Sequence, residues 1–376
     1  MIYLDNSATT RIDDHVLEAM LPWLRDGYGN ASSQYALGRA ARVAIEDARN
    51  TIADVLGVHP AEVIFTSGGT ESNNAILHSA VGPSQLAHAI VHGVTEHHAI
   101  LHPAESLEAK GVERKVIPVT STGAIDVAAL AVANAPFTLV SVMTANNETG
   151  VVNDMRAIRD AVPDALLHSD AVQAFGKIAF RPGDLGLDFA TISAHKIHGP
   201  KGIGAMFIRK GIDFKAHQTG GAQERNRRSG TEPVALIVGF AEAARRAWND
   251  MDSRARHMRM LQGVAIREIQ ASIPNVRFNT TSETSLPHIV NVSFQDAAML
   301  DGEAILQLLD LEGVAASNGS ACVSGSMQPS HVLSAMGLSR AEASAAVRFS
   351  VSYHTTEQEV VHAVAILADI IRKLRV

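Results

Sequence analysis

Short apolar runs alternate with longer stretches of helical period over the first two thirds of the chain. "EVIFTS" reads as a strand, and "ESNNAILHSAV" behind it as a helix. "LAHAIVHG" followed by "HHAILHPAESLEAKG" repeats the pair. "FTLVSVMTAN", "DALLHSDAV", "LDFATISA" and "GIGAMFIRK" are further strand candidates, rich in β-branched or aromatic residues. Strands alternating with helices predict an α/β fold, a mainly parallel sheet covered on both faces. Ligands of such sheets lie beyond the carboxyl ends of the strands. The polar clusters "TSGGTES", "VTEHH", "TANNETG", "HSDAVQ" and "SAHK" all fall at those ends.

From about residue 235 the pattern changes to long helix, broken once, through "PVALIVGFAEAARRAWNDMDSRARHMRMLQGVAIREIQASI". Strands "PHIVNVSF" and "AAVRFSVSY" follow, with helices between and after them. The expectation is a large domain over 14–250 and a smaller α+β domain over 1–13 and 251–376. The smaller domain would carry a small-residue loop at about 316–330. No internal repeat or low-complexity tract interrupts this plan.

Composition narrows the function classes. The chain has 376 residues, 46% apolar and 19% charged, ordinary for a soluble globular protein of two or three domains. Its 32 basic and 39 acidic residues leave a net charge of −7, which argues against a nucleic-acid or anionic-membrane surface. A local patch such as "ERNRRSG" could still bind one anionic group. One cysteine forms no internal disulfide. "MIYLDNSATT" has no basic region followed by an apolar one, and no apolar run reaches the roughly 18 residues that span a bilayer. A cytoplasmic protein is the expectation.

Candidate chemistry sits in the strand-end clusters. In "TSGGTES" the glycines permit close backbone approach, and Thr70 opens a helix whose free N–H groups favour a phosphate. A plain strand-to-helix turn capped by Thr70 is the competing explanation. Neither the nucleoside-triphosphate nor the dinucleotide glycine pattern is present. Asp170 ends "ALLHSD", where a carboxylate needs a cationic or hydrogen-bonding partner such as a protonated pyridine nitrogen, unless it merely caps a turn. Gln173 stands three residues on. His168, Ser169 and Asp170 are no triad, because neighbours in a strand face opposite ways.

Lys196 in "SAHKIHGPKG" is a lysine held by a tight turn at a strand end. Partial desolvation there would lower its amine pKa from about 10.4 and suit it to a Schiff base. Lys201 is the rival in the same loop, and a solvated surface lysine the plain alternative. His88, His92, His97, His98 and His102 crowd one segment, but without a nearby cysteine or a zinc-protease spacing no metal is expected. His97 could instead stack on an aromatic ligand. Cys322 lies in "SNGSACVSGSMQPS", where Gly319 and Gly325 predict mobility and four serines solubility, so it is expected exposed and reactive. Arg348, on a strand, could clamp a carboxylate or make an ordinary salt bridge. Together these are the parts of a pyridoxal-phosphate site.

"YLDNSATT", "FTSGGTESNN", "ANNETGVV", "SAHKIHGPKGIGA", "RRSGTEP", "GSACVSGS" and "RFSVSYHTTEQE" closely resemble the cysteine desulfurases of the NifS/IscS group, class V members of the aminotransferase superfamily. The likeness runs nearly end to end and implies the type I pyridoxal-phosphate-dependent transferase fold. It implies that Lys196 holds pyridoxal 5'-phosphate, that His97 stacks on its ring, and that Asp170 pairs with the ring nitrogen. Gln173 would meet the ring hydroxyl, near Asn147. Gly69, Thr70, Ser193 and His195 would bind the phosphate, joined by Thr231 from the partner subunit of a homodimer. Arg348, with Asn147, would take the substrate carboxylate, and Cys322 would accept sulfur from L-cysteine as a persulfide, leaving alanine.

Ser7, Ala31, Tyr35 and Ser169 depart from residues common in the group, and none is assigned to the chemistry. The last helix, "VHAVAILADIIRKLRV", is not followed by the longer tail of scaffold-docking members, so docking by that route is not expected. The resemblance implies delivery of sulfur to an acceptor or iron–sulfur scaffold protein, with no nucleic acid or membrane as partner. A selenocysteine lyase, an aminotransferase of the same fold and a non-catalytic sulfur carrier are the alternatives.

Overall fold

The computed structural model describes residues 1–82, 85–281, 284–297, 300–319 and 329–375. In chain order the first part comprises β1 (Ile2–Tyr3), α1 (Asp14–Arg25), α2 (Ala36–Leu56), β2 (Val63–Thr66), α3 (Gly69–Ala80), β3 (Ala89–Gly93) and α4 (His98–Glu108). It continues with β4 (Glu113–Ile117), β5 (Thr138–Ser141), α5 (Met155–Ala161), β6 (Leu166–Asp170), β7 (Phe189–Ser193), β8 (Gly204–Ile208) and the turn α6 (Gln223–Asn226). The rest is α7 (Val234–Asn249), α8 (Met251–Ser272), β9 (Val276–Phe278), β10 (Ile289–Phe294), α9 (Gly302–Leu311), β11 (Val314–Ala315), α10 (His331–Ala335), α11 (Arg340–Ser344), β12 (Val347–Ser350) and α12 (Glu357–Leu374).

Seven strands form one sheet in the order β2-β8-β7-β6-β5-β3-β4, and β8 alone opposes its neighbours. Alternate side chains leave its two faces. Val63, Phe65, Val91, Val140 and Ile192 join an apolar cluster that includes residues of α1, α2, α5 and α7. Ile64, Ile90, Leu139, Phe189 and Met206 join another with residues of α3 and α4. Burial on both faces is why these strands appear in the sequence as unbroken apolar runs. A further cluster lies between the antiparallel sheet β12-β10-β9 and helices α8, α9 and α12, and it takes in Leu4 from the N-terminus.

Two differences from the sequence pattern have simple causes. β4, "ERKVI", is an edge strand with mostly exposed or half-exposed side chains, so it carries no buried run. Helix α3 starts at Gly69 with Gly68 as its cap, so Thr70 lies inside the first turn and is not the cap. Gly204 is required by close approach, since a Cβ there would sit 2.8 Å from Gly68 Cα and 2.6 Å from Ile192 O. That contact presses the turn before α3 onto β7 and β8. The long helical stretch breaks once, at Asp250 between α7 and α8. Among the described residues no helix is long and apolar enough to cross a membrane.

Turn α6 is left-handed, with φ of 45°, 57° and 61° at Glu224, Arg225 and Asn226. Non-glycine residues hold that conformation only where the surroundings impose it. Here Glu224 enters the core and accepts two 2.8 Å bonds from the buried Arg49 guanidinium, plus one of 2.9 Å from Phe65 N. Arg49→Ala leaves that carboxylate buried without its counter-charge, a loss of about 3–5 kcal/mol. Urea denaturation should show a large fall in the midpoint for Arg49→Ala, partly recovered when Glu224→Gln is added. Equal stability of wild type and Arg49→Ala would contradict this.

Candidate active site

The carboxyl ends of β6 and β7, the N-terminus of α3 and the chain around Ser7 enclose a cavity of about 380 Å³. Gly69, Thr70, His97, Asn147, Asp170, Gln173, Ser193, His195, Lys196 and Arg348 all line it. Thr231 does not; it is exposed and lies away from the cavity in the single chain. Cys322 lies outside the described residues, but Ser317, Gly319 and His331, which flank its segment, line the same cavity. Lys201, the rival lysine, is exposed and is not among the lining residues.

Several of these side chains are held by specific hydrogen bonds. Asp170 ends β6, accepts 2.7 Å from Asn73 Nδ2 and 3.0 Å from Val172 N, and is 6% exposed. Asn73 sits one helical turn after Gly69 on α3. His97 caps α4, its Nδ1 accepting 3.0 Å from Ala99 N. That bond fixes Nδ1 as the unprotonated nitrogen of a neutral ring, and burial lowers the pKa of the ring further. Gln173 donates 2.9 Å to Ser7 O, and its amide oxygen accepts 3.3 Å from Lys177 Nζ. His195 Nδ1 pairs with Thr9 Oγ1 at 3.2 Å, and burial pulls its pKa down to about 4. His168, between Ser141 and Thr191, is pulled to about 3 by burial and is not part of the cavity wall.

Lys196 stands three residues past the end of β7 and donates 2.6 Å to each of Ser7 O and Ala8 O. Burial, with the Arg348 charge adding to it, lowers its pKa to about 8. A neutral amine keeps two hydrogens for the two carbonyls and has a lone pair for an electrophile. Arg348 donates 2.6 Å to Asp5 Oδ1 and 2.7 Å to Asn147 O. Its salt bridge is therefore real, and its buried Nε still has no partner among the described residues.

The cavity wall also holds unmet polar atoms. Ser193 Oγ and Asn73 Oδ1 are buried with no hydrogen-bond partner among the described residues. Buried polar atoms are normally satisfied, so these point to a ligand with polar groups. Gly69 has no room for a side chain, since a Cβ would lie 2.9 Å from Val172 Cγ2. The free N–H groups of α3 beside Ser193 suit a phosphate, and Asp170 suits a protonated ring nitrogen. Pyridoxal phosphate fits this donor set. Among the described residues no group of three or more His, Cys, Asp or Glu is placed to hold a metal ion, and His98 and His102 instead stack at 4.9 Å.

Sequence reasoning missed Asn73, Ser7, Ala8, Asp5 and Lys177. "ESNN" offered a signal for Asn73 through its four-residue spacing from Gly69; the others meet the site only through tertiary contacts. Amine labelling tests the Lys196 environment. Trinitrobenzenesulfonate should modify Lys196 of the cofactor-free protein with a pH midpoint near 8. Deprotonation is then substantial at pH values where an ordinary lysine stays charged. A midpoint above about 10 would remove the basis for an activated amine.

Residues 2–362 match the model of the class-V aminotransferase family. The chain is 42% identical to the cysteine desulfurase IscS of Dictyoglomus turgidum over 378 residues, covering 100% of this chain and 95% of that protein. It is 37% identical to the cysteine desulfurase NifS of Azotobacter vinelandii, covering 100% and 93%. A solved NifS-like protein superposes with a TM-score of 0.89 at 36% identity, covering 99% of both chains. Full-length likeness and a lysine-bearing cavity at the strand ends agree: the chain belongs to the class-V aminotransferase family, whose members depend on pyridoxal 5'-phosphate.

Proposed function

We propose that this protein is a cysteine desulfurase, converting L-cysteine to L-alanine and leaving the sulfur as a persulfide on Cys322. The observation that carries the reading is the meeting of Lys196, Asp170 and His97 in one cavity that Ser317, Gly319 and His331, the described residues on either side of the Cys322 segment in the sequence, also line. Similarity to cysteine desulfurases along the entire chain supports it over the selenocysteine-lyase, aminotransferase and sulfur-carrier alternatives.

When bound, pyridoxal phosphate supplies an aldehyde that joins amines and an electron-poor ring that stabilises negative charge on the adjacent carbon. Lys196 would hold that aldehyde and carry the α-proton of the substrate, a role suited to an amine of lowered pKa. Asp170, oriented by Asn73, would hold the proton of the ring nitrogen. His97 and Gln173 would hold the ring. Gly69, Thr70, Ser193 and His195 would receive the phosphate, together with Thr231 of a second copy of this chain. Arg348, beside Asn147, receives the substrate carboxylate in place of part of its bond to Asp5.

Cys322 acts as thiolate. Its sulfur attacks the sulfur of L-cysteine. The carbon–sulfur bond breaks with its electron pair left on carbon, and that carbon takes up one proton, balancing the one lost from the Cys322 thiol, to become the alanine methyl group. The proposal extends to a cytoplasmic homodimer, in which Thr231 of each chain would serve the site of the other, passing sulfur to an acceptor or iron–sulfur scaffold protein.

Incubation with L-cysteine and dithiothreitol should yield alanine and sulfide in equal amounts. Cys322→Ser should lose more than 100-fold in sulfide release while keeping its cofactor absorbance. Full turnover of L-cysteine by Cys322→Ser would exclude this function and favour a transaminase.

A further inference from the structure

One buried acid in the cavity wall has no part in the chemistry just described. Glu148 is 2% exposed and directly follows Asn147. Its backbone is pinned, with its N–H donating 2.8 Å to Asn146 Oδ1 and its carbonyl accepting 3.1 Å from Asn291 Nδ2. Burial pushes its carboxyl pKa up to about 7, against the lowering effects of Ser330 and Arg348. A polar group so desolvated is an expensive way to fill space, because leucine would do so without burying a hydrogen-bonding group.

What Glu148 touches explains its presence. Ser330 Oγ donates to Glu148 Oε2. On the other side Gly319, at φ +94°, packs so closely that a Cβ there would lie 3.0 Å from Glu148 Cγ and 3.1 Å from Oε2. Gly319 and Ser330 flank the stretch that bears Cys322, so one carboxylate meets both sides of it.

Two neighbouring contacts extend the seat. Ser317 and Arg348 exchange backbone bonds of 3.3 and 2.6 Å, tying the N-terminal flank to the strand that carries Arg348. His331 Nε2 bonds Glu96 O at 3.0 Å, tying the C-terminal flank to the residue before His97. Both flanks are thus attached to residues adjoining the cofactor cavity, and Glu148 meets both.

We propose that Glu148 is a positioning residue for sulfur transfer: it seats both flanks of the Cys322 segment on the cavity wall and so governs delivery of the Cys322 thiolate to the substrate. This rests on the desulfurase reading, in which Cys322 must reach a sulfur held in the cavity. Because Glu148 acts through Gly319 and Ser330, binding of L-cysteine proceeds without it. Hydrogen bonding rather than charge does the seating, so an amide oxygen at the same place suffices.

The holoenzyme and its Glu148→Ala, Glu148→Gln and Ser330→Ala variants test this. Cys322 is the only cysteine, so intact-mass measurement of iodoacetamide labelling reads it directly. Glu148→Ala should release sulfide at least tenfold more slowly than wild type and label at least threefold faster. The cofactor absorbance change on adding L-cysteine should persist at an unaltered half-saturating concentration. Glu148→Gln should recover most of the turnover. Ser330→Ala removes the same hydrogen bond from the other side and should repeat the Glu148→Ala pattern, which covers a variant that fails to fold.

Unchanged labelling and turnover in Glu148→Ala would overturn the proposal. So would loss of the absorbance change in parallel with sulfide release, which marks general damage to the site. If wild type itself releases no sulfide, the desulfurase reading fails separately, and the labelling rates still decide whether Glu148 seats the segment.

Discussion

The site depends on an amine partly withdrawn from water. Lys196 projects from the end of a strand buried on both faces, into a cavity where hydration is replaced by the carbonyls of Ser7 and Ala8. Those two carbonyls satisfy the hydrogens of a neutral amine but supply no negative charge to hold an ammonium. The balance between burial and protonation therefore moves toward the reactive form. Every other feature of the cavity is arranged around that condition. The N-terminal segment supplies the carbonyls, Asp5 shares the Arg348 charge, and Gln173 fixes Ser7 from the opposite side.

The sheet makes this arrangement possible. Six parallel strands point their carboxyl ends the same way, so Asp170 and Lys196 arrive side by side from β6 and β7, whose pairing aligns Asp170 with Thr191. Helix α3 is pressed against them by the Gly204–Gly68 contact, which brings free backbone N–H groups next to Ser193. Polar groups from separate chain segments thus share one wall. Left-handed backbone at non-glycine residues occurs at His198, two residues past Lys196, and in the turn α6, which the buried Arg49–Glu224 pair holds.

The sequence already showed the elements whose burial is simplest. β2 and β7 are buried and appear as largely apolar runs, and β6 opens with two leucines before its polar end, so the ends of all three, and with them Asp170 and Lys196, were readable in order. β4 was not, because an edge strand buries little. Asn73, Ser7 and Glu148 were given no role for a different reason. Their partners lie far along the chain, with Asn73 97 residues from Asp170 and Glu148 182 from Ser330, and no local period encodes such meetings. The exposure of Thr231 has the same character, since its expected ligand belongs to a second copy. Cys322 stood out as the sole thiol, in a loop of small residues; the described residues on either side of it show the contacts its flanks make.

Borohydride reduction of the holoenzyme followed by peptide mapping tests the central claim most directly, because it freezes the bond between cofactor and protein where it forms. The account predicts one pyridoxyl adduct, on the peptide that contains Lys196. An adduct on Lys177 or Lys201, or none, would contradict it.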